Sequence, residues 1–183
     1  TLNKLKLAVA GDIGCYNLGT LPPFRAQHTM GSMGASIGVL HGMALAGIPE
    51  DRVCTIGDST FFHAGIPPLL NMVHTGTRGT VILMDNSVTA MTGHQDHPGL
   101  DWSVVPGRAA HAVDMEGLVR AIGVKMVKTV DAFNIKEVEA GMKECLAYKD
   151  GPSVLITKGP CIFVSREPKP VYTVDHEKCI ACG

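Results

Sequence analysis

Aromatic residues are scarce: Phe, Trp and Tyr make up 5% of the 183 residues, with one tryptophan. The chain is therefore not built around an aromatic-rich binding surface. Charge is scarce as well. Asp, Glu, Lys and Arg total 18% and the net charge is -1, which excludes a basic nucleic-acid footprint. No apolar run reaches the ~18 residues that span a bilayer, so no membrane contact is expected. The opening TLNKLKLAVAGD lacks the apolar stretch and small-residue cleavage site of a secretion signal. Cys15, Cys54, Cys145, Cys161, Cys179 and Cys182 are scattered, several within apolar runs. They read as the reduced thiols of a cytoplasmic protein.

What the chain has in quantity is apolar residues, at 45%, and 21 glycines. The first excludes a disordered chain. The second suits backbone packed closely against a ligand. The length predicts one compact domain with a short tail, and such a domain buries roughly 70% of its unfolded surface without staples. We place the domain at 1–165 and a polar, Pro-rich tail at 166–183.

Short apolar runs alternate with longer periodic ones. Strands are expected at Leu5–Ala10, Arg52–Ile56, Thr80–Met84, Lys125–Val130 and Pro152–Thr157. Helices are expected at Gly31–Gly47, Ile66–His74, Glu116–Ile122 and Asn134–Tyr148. The segment Ser87–Val113, rich in Gly, Pro, His and Asp, reads as a long functional loop. Near-continuously apolar strands between helices predict an α/β fold: an open parallel sheet covered on both faces. Ligands of such sheets sit beyond the carboxyl ends of the strands. Three expected strands end in GDIGC, GDST and DN.

A strand that ends in Gly57-Asp58 and enters a helix presents N–H groups to a phosphate, yet the Asp58 carboxylate repels one. A divalent cation between them removes the conflict, and magnesium is held this way by one or two protein oxygens plus substrate phosphates. Asp85-Asn86, at the end of the next strand, brings a second oxygen donor. The Asn86 side chain and a main-chain carbonyl in the following turn, from Val88, complete the set. A lone Gly-Asp pair is ordinarily a helix-capping turn, with Asp58 or Ser59 as the cap. The second signal at a neighbouring strand end favours the cation.

Gly57-Asp58-Ser59, residues 60–84 and then Asp85-Asn86 resemble the thiamine diphosphate motif, usually written GDG, a spacer, then N. Ser59 departs from the usual third glycine. DNSVTAMTGHQDHPG resembles the corresponding segment of 2-oxoacid:ferredoxin oxidoreductases. TGHQDHPG, AGDIGCY at 10–16 and MGASIG at 33–38 resemble the large subunit of the indolepyruvate type. The resemblance implies that Asp58, Asn86 and the Val88 carbonyl ligate Mg2+. Gly57, Ser59 and Thr60 would meet the diphosphate, and Gly14, Cys15, Met33, Gly34, Ala90 and Met91 would lie near the rest of the cofactor. Thr92, Gly93, His94 and Gln95 would sit over the reacting carbon, with His94, Gln95 and Cys15 catalytic, Asp85 a scaffold and Trp102 a wall for an aryl substrate. A His94–His97 zinc pair is the weaker reading, because no further ligands cluster beside it.

DHEKCIACG resembles the start of a bacterial ferredoxin run. Cys179 and Cys182 would then open an iron–sulfur segment of a 4Fe-4S cluster whose remaining ligands are not in this chain. The implied activity is oxidative decarboxylation of an aryl 2-oxoacid, with coenzyme A as acyl acceptor and ferredoxin as electron acceptor. The glutamate that tunes the cofactor has no candidate here, so a pyrimidine-binding domain and a second subunit are expected partners. Competing readings are a non-redox thiamine-dependent decarboxylase, a cofactor-binding module inactive alone, and a flavodoxin-like domain.

Overall fold

A computed structural model describes residues 2–165 and 173–180. Its centre is a six-stranded sheet: β1 (Ala8–Gly11), β2 (Thr29–Met30), β3 (Arg52–Gly57), β4 (Gly79–Asp85), β5 (Met126–Asp131) and β6 (Pro152–Lys158). Every pairing is parallel, and the order is β2-β1-β3-β4-β6-β5. The helices are α1 (Ala35–Leu45), α2 (Asp58–Thr60), α3 (Ile66–His74), α4 (Met115–Ile122) and α5 (Ile135–Ala147). A π-helical turn, Phe61–Gly65, joins α2 to α3 without a break, and a 3-10 turn covers Cys15–Thr20.

The two faces of the sheet are covered unequally. Ala10, Cys54, Ile56, Val81, Leu83, Val154 and Ile156 point to one side and pack beneath Ile37, Leu40, Phe61, Leu69, Met72 and Val119, from α1, the α2–α3 run and α4. The alternate residues Val9, Val53, Ile82 and Leu155 point the other way, against Met142 and Cys145 of α5. Leu2, Leu5 and Leu7 complete that second layer. This corrects the expected first strand. The leading leucines are apolar because they roof the sheet; Leu2–Lys6 is a turn, and β1 begins at Ala8. The helix expected from Gly31 also starts later, at Ala35, with Gly34 before it in the left-handed region at φ 86°.

The chain leaves β1 towards β2 on one side, while β3 lies on the other. That reversal splays the loops after β1 and β3 and opens a crevice at their carboxyl ends. Among the described residues, no helix is long and apolar enough to cross a membrane. The expected tail boundary at 165 adjoins residues outside the described set, and the expected cluster ligand Cys182 lies outside it.

Candidate functional site at the carboxyl ends of the strands

A cavity of about 300 Å³ opens at those strand ends. After β1 it is lined by Ile13, Gly14, Cys15 and Tyr16; after β3 by Gly57, Asp58, Ser59 and Thr60. From the end of β4 come Met84 and Asp85, followed by Asn86 and Val88 to Thr92, with Met33 from the α1 approach. The expected cofactor residues Gly14, Cys15, Met33, Gly57, Asp58, Ser59, Thr60, Asn86, Val88, Ala90 and Met91 thus surround one space. Gly34 is set back, with its main-chain N–H donated to Asp12.

Asp58 is 3% exposed and opens α2. Its Oδ1 accepts the Ser59 N–H at 2.7 Å. Its Oδ2 accepts the N–H groups of Asn86 at 3.1 Å and Ser87 at 2.9 Å. This one carboxylate ties the end of β3 to the end of β4. Ser87 reaches it with φ 61°, a left-handed conformation unusual for a residue with a side chain. The turn is braced from below, because Asp85 Oδ1 accepts from the Ser87 N–H. Asn86 Oδ1 in turn accepts the Val88 N–H at 3.2 Å. Burial and the neighbouring Asp58 charge hold the Asp85 carboxyl above its ordinary range. Among the described residues its cationic partner is Lys158, whose Nζ stands 3.9 Å away.

Two carboxylates at a buried turn, beside an amide oxygen, form an all-oxygen, electron-rich donor set. Such a set suits a hard divalent cation and not a thiolate- or imidazole-seeking metal. The hydroxyl-bearing Ser59 and Thr60 follow at the start of the helical run, where the N-terminal dipole favours an anion.

Two residues that sequence reasoning missed hold the loops. Asp12 is fully buried and accepts from Ile13, Gly34 and Ser36, so it ties the β1 exit to the start of α1. Tyr16 folds back under Gly14, where an added Cβ would lie 2.3 Å from the ring. Its hydroxyl donates to the Ile13 carbonyl and accepts the Gly57 N–H. Burial, above all, pushes this phenol up from its ordinary range. The Asp in GDIGC sits in plain sight, but nothing local says that its partners are more than twenty residues on.

The loop after β4 divides its residues. Thr92 lines the cavity, whereas His94 and Gln95 do not. Gln95 is turned on its own loop, with both amide atoms bonded to Thr92. His94, at φ 67°, packs edge-on against Phe163 at 5.4 Å. His97 turns inward to Asp58, away from that pair. Among the described residues no three His, Cys, Asp or Glu side chains gather as a metal site, so the zinc reading has no support. Trp102 lies off the cavity wall, and Cys179 is exposed.

Residues 12–157 match the family model of the thiamine pyrophosphate enzyme C-terminal TPP-binding domain. The chain is 45% identical over 173 residues to indolepyruvate oxidoreductase subunit IorA of Methanothermobacter thermautotrophicus, covering 93% of this chain and 27% of that protein. It is 39% identical over 191 residues to the subunit of the same name from Pyrococcus horikoshii, covering 93% and 29%. The chain therefore spans less than a third of the length of these relatives. Among solved structures, 2-oxoglutarate:ferredoxin oxidoreductase from Magnetococcus marinus superposes with a TM-score of 0.71 at 20% identity, over 86% of this chain and 55% of that one, which shows a shared fold. By the match over most of its length, the chain belongs to the thiamine pyrophosphate enzyme family, as a C-terminal TPP-binding domain.

Proposed function

We propose that this domain holds thiamine diphosphate through Mg2+ and serves an oxidoreductase that oxidatively decarboxylates aryl 2-oxoacids of the indolepyruvate type. The observation that carries the reading is the Asp58 carboxylate, buried and bonded to the main chain of Asn86 and Ser87 across two strand ends. Asp58, the Asn86 side-chain oxygen and the Val88 carbonyl are the cation donors. Ser59 and Thr60 bind the diphosphate oxygens, and Gly57 keeps that approach free of a side chain. Gly14, Cys15, Met33, Ala90 and Met91 shield the cofactor's rings from water. Thr92 stands at the mouth of the cavity, and His94 and Gln95 shape the loop that carries it.

When bound, thiamine diphosphate supplies a carbon nucleophile for the keto group and a sink for the electrons left when carbon dioxide departs. This chain's part is to hold and desolvate that cofactor. Among the described residues, Glu50, Glu116, Glu137, Glu139, Glu144 and Glu177 lie off the cavity, which supports a pyrimidine-tuning group supplied by a partner domain. In a cytoplasmic complex, iron–sulfur clusters and ferredoxin would take the electrons and coenzyme A the acyl group. Similarity to two indolepyruvate oxidoreductase subunits supports the substrate class.

The test is calorimetric titration of the intact protein with thiamine diphosphate, with and without Mg2+. Asp58→Ala is expected to lose the Mg2+-dependent binding that the parent shows. Unchanged affinity in that variant would refute the ligand assignment. Turnover of indolepyruvate against 2-oxoglutarate by the intact enzyme then tests the substrate class.

A further inference from the structure

His97 lies in a Gly- and Pro-rich loop, where a histidine is usually exposed. Here its side chain is 1% exposed. The ring stacks on Phe62 at 5.8 Å and 28°. The Gly99 N–H is donated to Nδ1 at 3.1 Å, so Nδ1 is an acceptor and the ring proton sits on Nε2. Nε2 stands 3.2 Å from Asp58 Oδ2, is not aligned as a hydrogen bond, and has no hydrogen-bond partner among the described residues. A buried N–H left unmade is costly, and Asp58 Oδ2 at 3.2 Å is an acceptor within its reach.

The consequence lies in how Asp58 is loaded. Oδ2 already accepts from Asn86 and Ser87, and the His97 Nε2 stands 3.2 Å from the same oxygen without an aligned hydrogen bond. Among the described residues, Oδ1 accepts from the Ser59 N–H alone. A carboxylate oxygen offers about two lone pairs. Oδ2 is then saturated, while Oδ1 keeps one acceptor direction free.

We propose that His97 is a positioning residue that locks the Asp58 carboxylate so that Oδ1 alone is offered to a divalent cation. The proposal rests on Asp58 being a cation ligand. The charged residues Asp85, Asp114 and Lys158 line, with His97, a separate cavity of about 260 Å³. The N–H groups bonded to Oδ2 come from the main chain, and His97 brings a side-chain nitrogen beside that oxygen.

The experiment titrates Mg2+ into the intact protein at fixed thiamine diphosphate, by calorimetry. His97→Phe keeps a ring against Phe62 and removes both nitrogens. It is expected to weaken apparent Mg2+ affinity by about 10–100-fold, as loss of an outer-shell partner does. Thiamine diphosphate affinity at saturating Mg2+ is expected to stay close to the parent's. His97→Gln, which restores an N–H donor, should recover most of the Mg2+ affinity. Asp58→Asn separates the two claims. If it abolishes Mg2+ dependence while folded His97→Phe binds Mg2+ like the parent, the positioning role is overturned and the ligand role stands. If Asp58→Asn keeps full Mg2+ dependence, the ligand role falls and the positioning role with it. Nitrogen-15 NMR of the parent's histidines decides the matter even if His97→Phe does not fold. A proton on Nε2 supports the role, and a proton on Nδ1 overturns it.

Discussion

At the scale of single residues, buried carboxylates organise this domain. Asp12 gathers three main-chain N–H groups from two separate segments, and Asp58 gathers three more. Hydrogen bonds to a charged group contribute more than neutral ones, and a buried donor left bare carries its full desolvation cost. Asp12→Ala is therefore expected to destabilise the fold by about 3 kcal/mol, a large share of a typical domain's stability. Urea unfolding followed by circular dichroism measures it, and a loss below about 0.5 kcal/mol would show that the tie does little. Asp58 was legible in the sequence because a Gly-Asp pair and an Asp-Asn pair both end apolar runs. Asp12, Tyr16 and His97 were not. Their importance comes from what they touch, and those partners are set by packing rather than by neighbours in the chain.

Among the elements, the junctions matter more than the interiors. Gly34 ends the approach to α1 with φ 86°, and an added Cβ would stand 2.4 Å from the Ala64 Cβ in the π-helical turn. Gly34→Ala is expected to cost about 2–4 kcal/mol, part from overlap and part from the backbone conformation. Adding Ala64→Gly should return the overlap part alone, which chemical denaturation of the two variants resolves. A second junction ties α4 to β5. Glu116 accepts from Thr129 at 2.6 Å and pairs with Arg120 at 2.7 Å, and these bonds hold its carboxyl below the usual glutamate range. The folded state thus favours the charged form. That contribution is present at neutral pH and is lost as pH falls below about 4, through the lowered folded value. Melting temperatures of the parent and Glu116→Gln should differ slightly at pH 7 and converge in acid. A gap that widens on acidification would contradict the pairing. The central strands were readable as short apolar runs, and α1, α3, α4 and α5 from run length, turn residues and, for α5, an apolar face. β2 was not, because its two residues, Thr29 and Met30, are exposed and carry no pattern. What makes them a strand is pairing with β1, steadied by His28 Nδ1 accepting the Val9 N–H.

For the whole molecule, the cavity is walled on one side and bordered on the other by exposed apolar groups. Met30, Met33 and Met91 are all more than half exposed around the strand ends. Apolar surface collected beside a binding cleft ordinarily meets a partner. Such a half-site is expected to bind thiamine diphosphate weakly when this chain is tested alone with Mg2+. Adding the pyrimidine-binding partner should tighten it, by calorimetry under identical conditions. Equal affinity with and without the partner would mean that the diphosphate end alone sets binding.

Local order in the chain was enough to determine an alternating α/β domain, its parallel sheet and a polar site at the strand ends. Apolar periods and turn residues act over a few residues, and they are written where they act. Tertiary structure alone decided that Leu2–Leu7 roofs the sheet and does not lengthen β1. It also decided that His97, and not His94, turns to Asp58, and that Gln95 spends its amide on its own loop. Those outcomes depend on which strands become neighbours and which side of each loop is left dry. Both follow from the assembled sheet, where residues far apart in sequence come to compete for the same buried space.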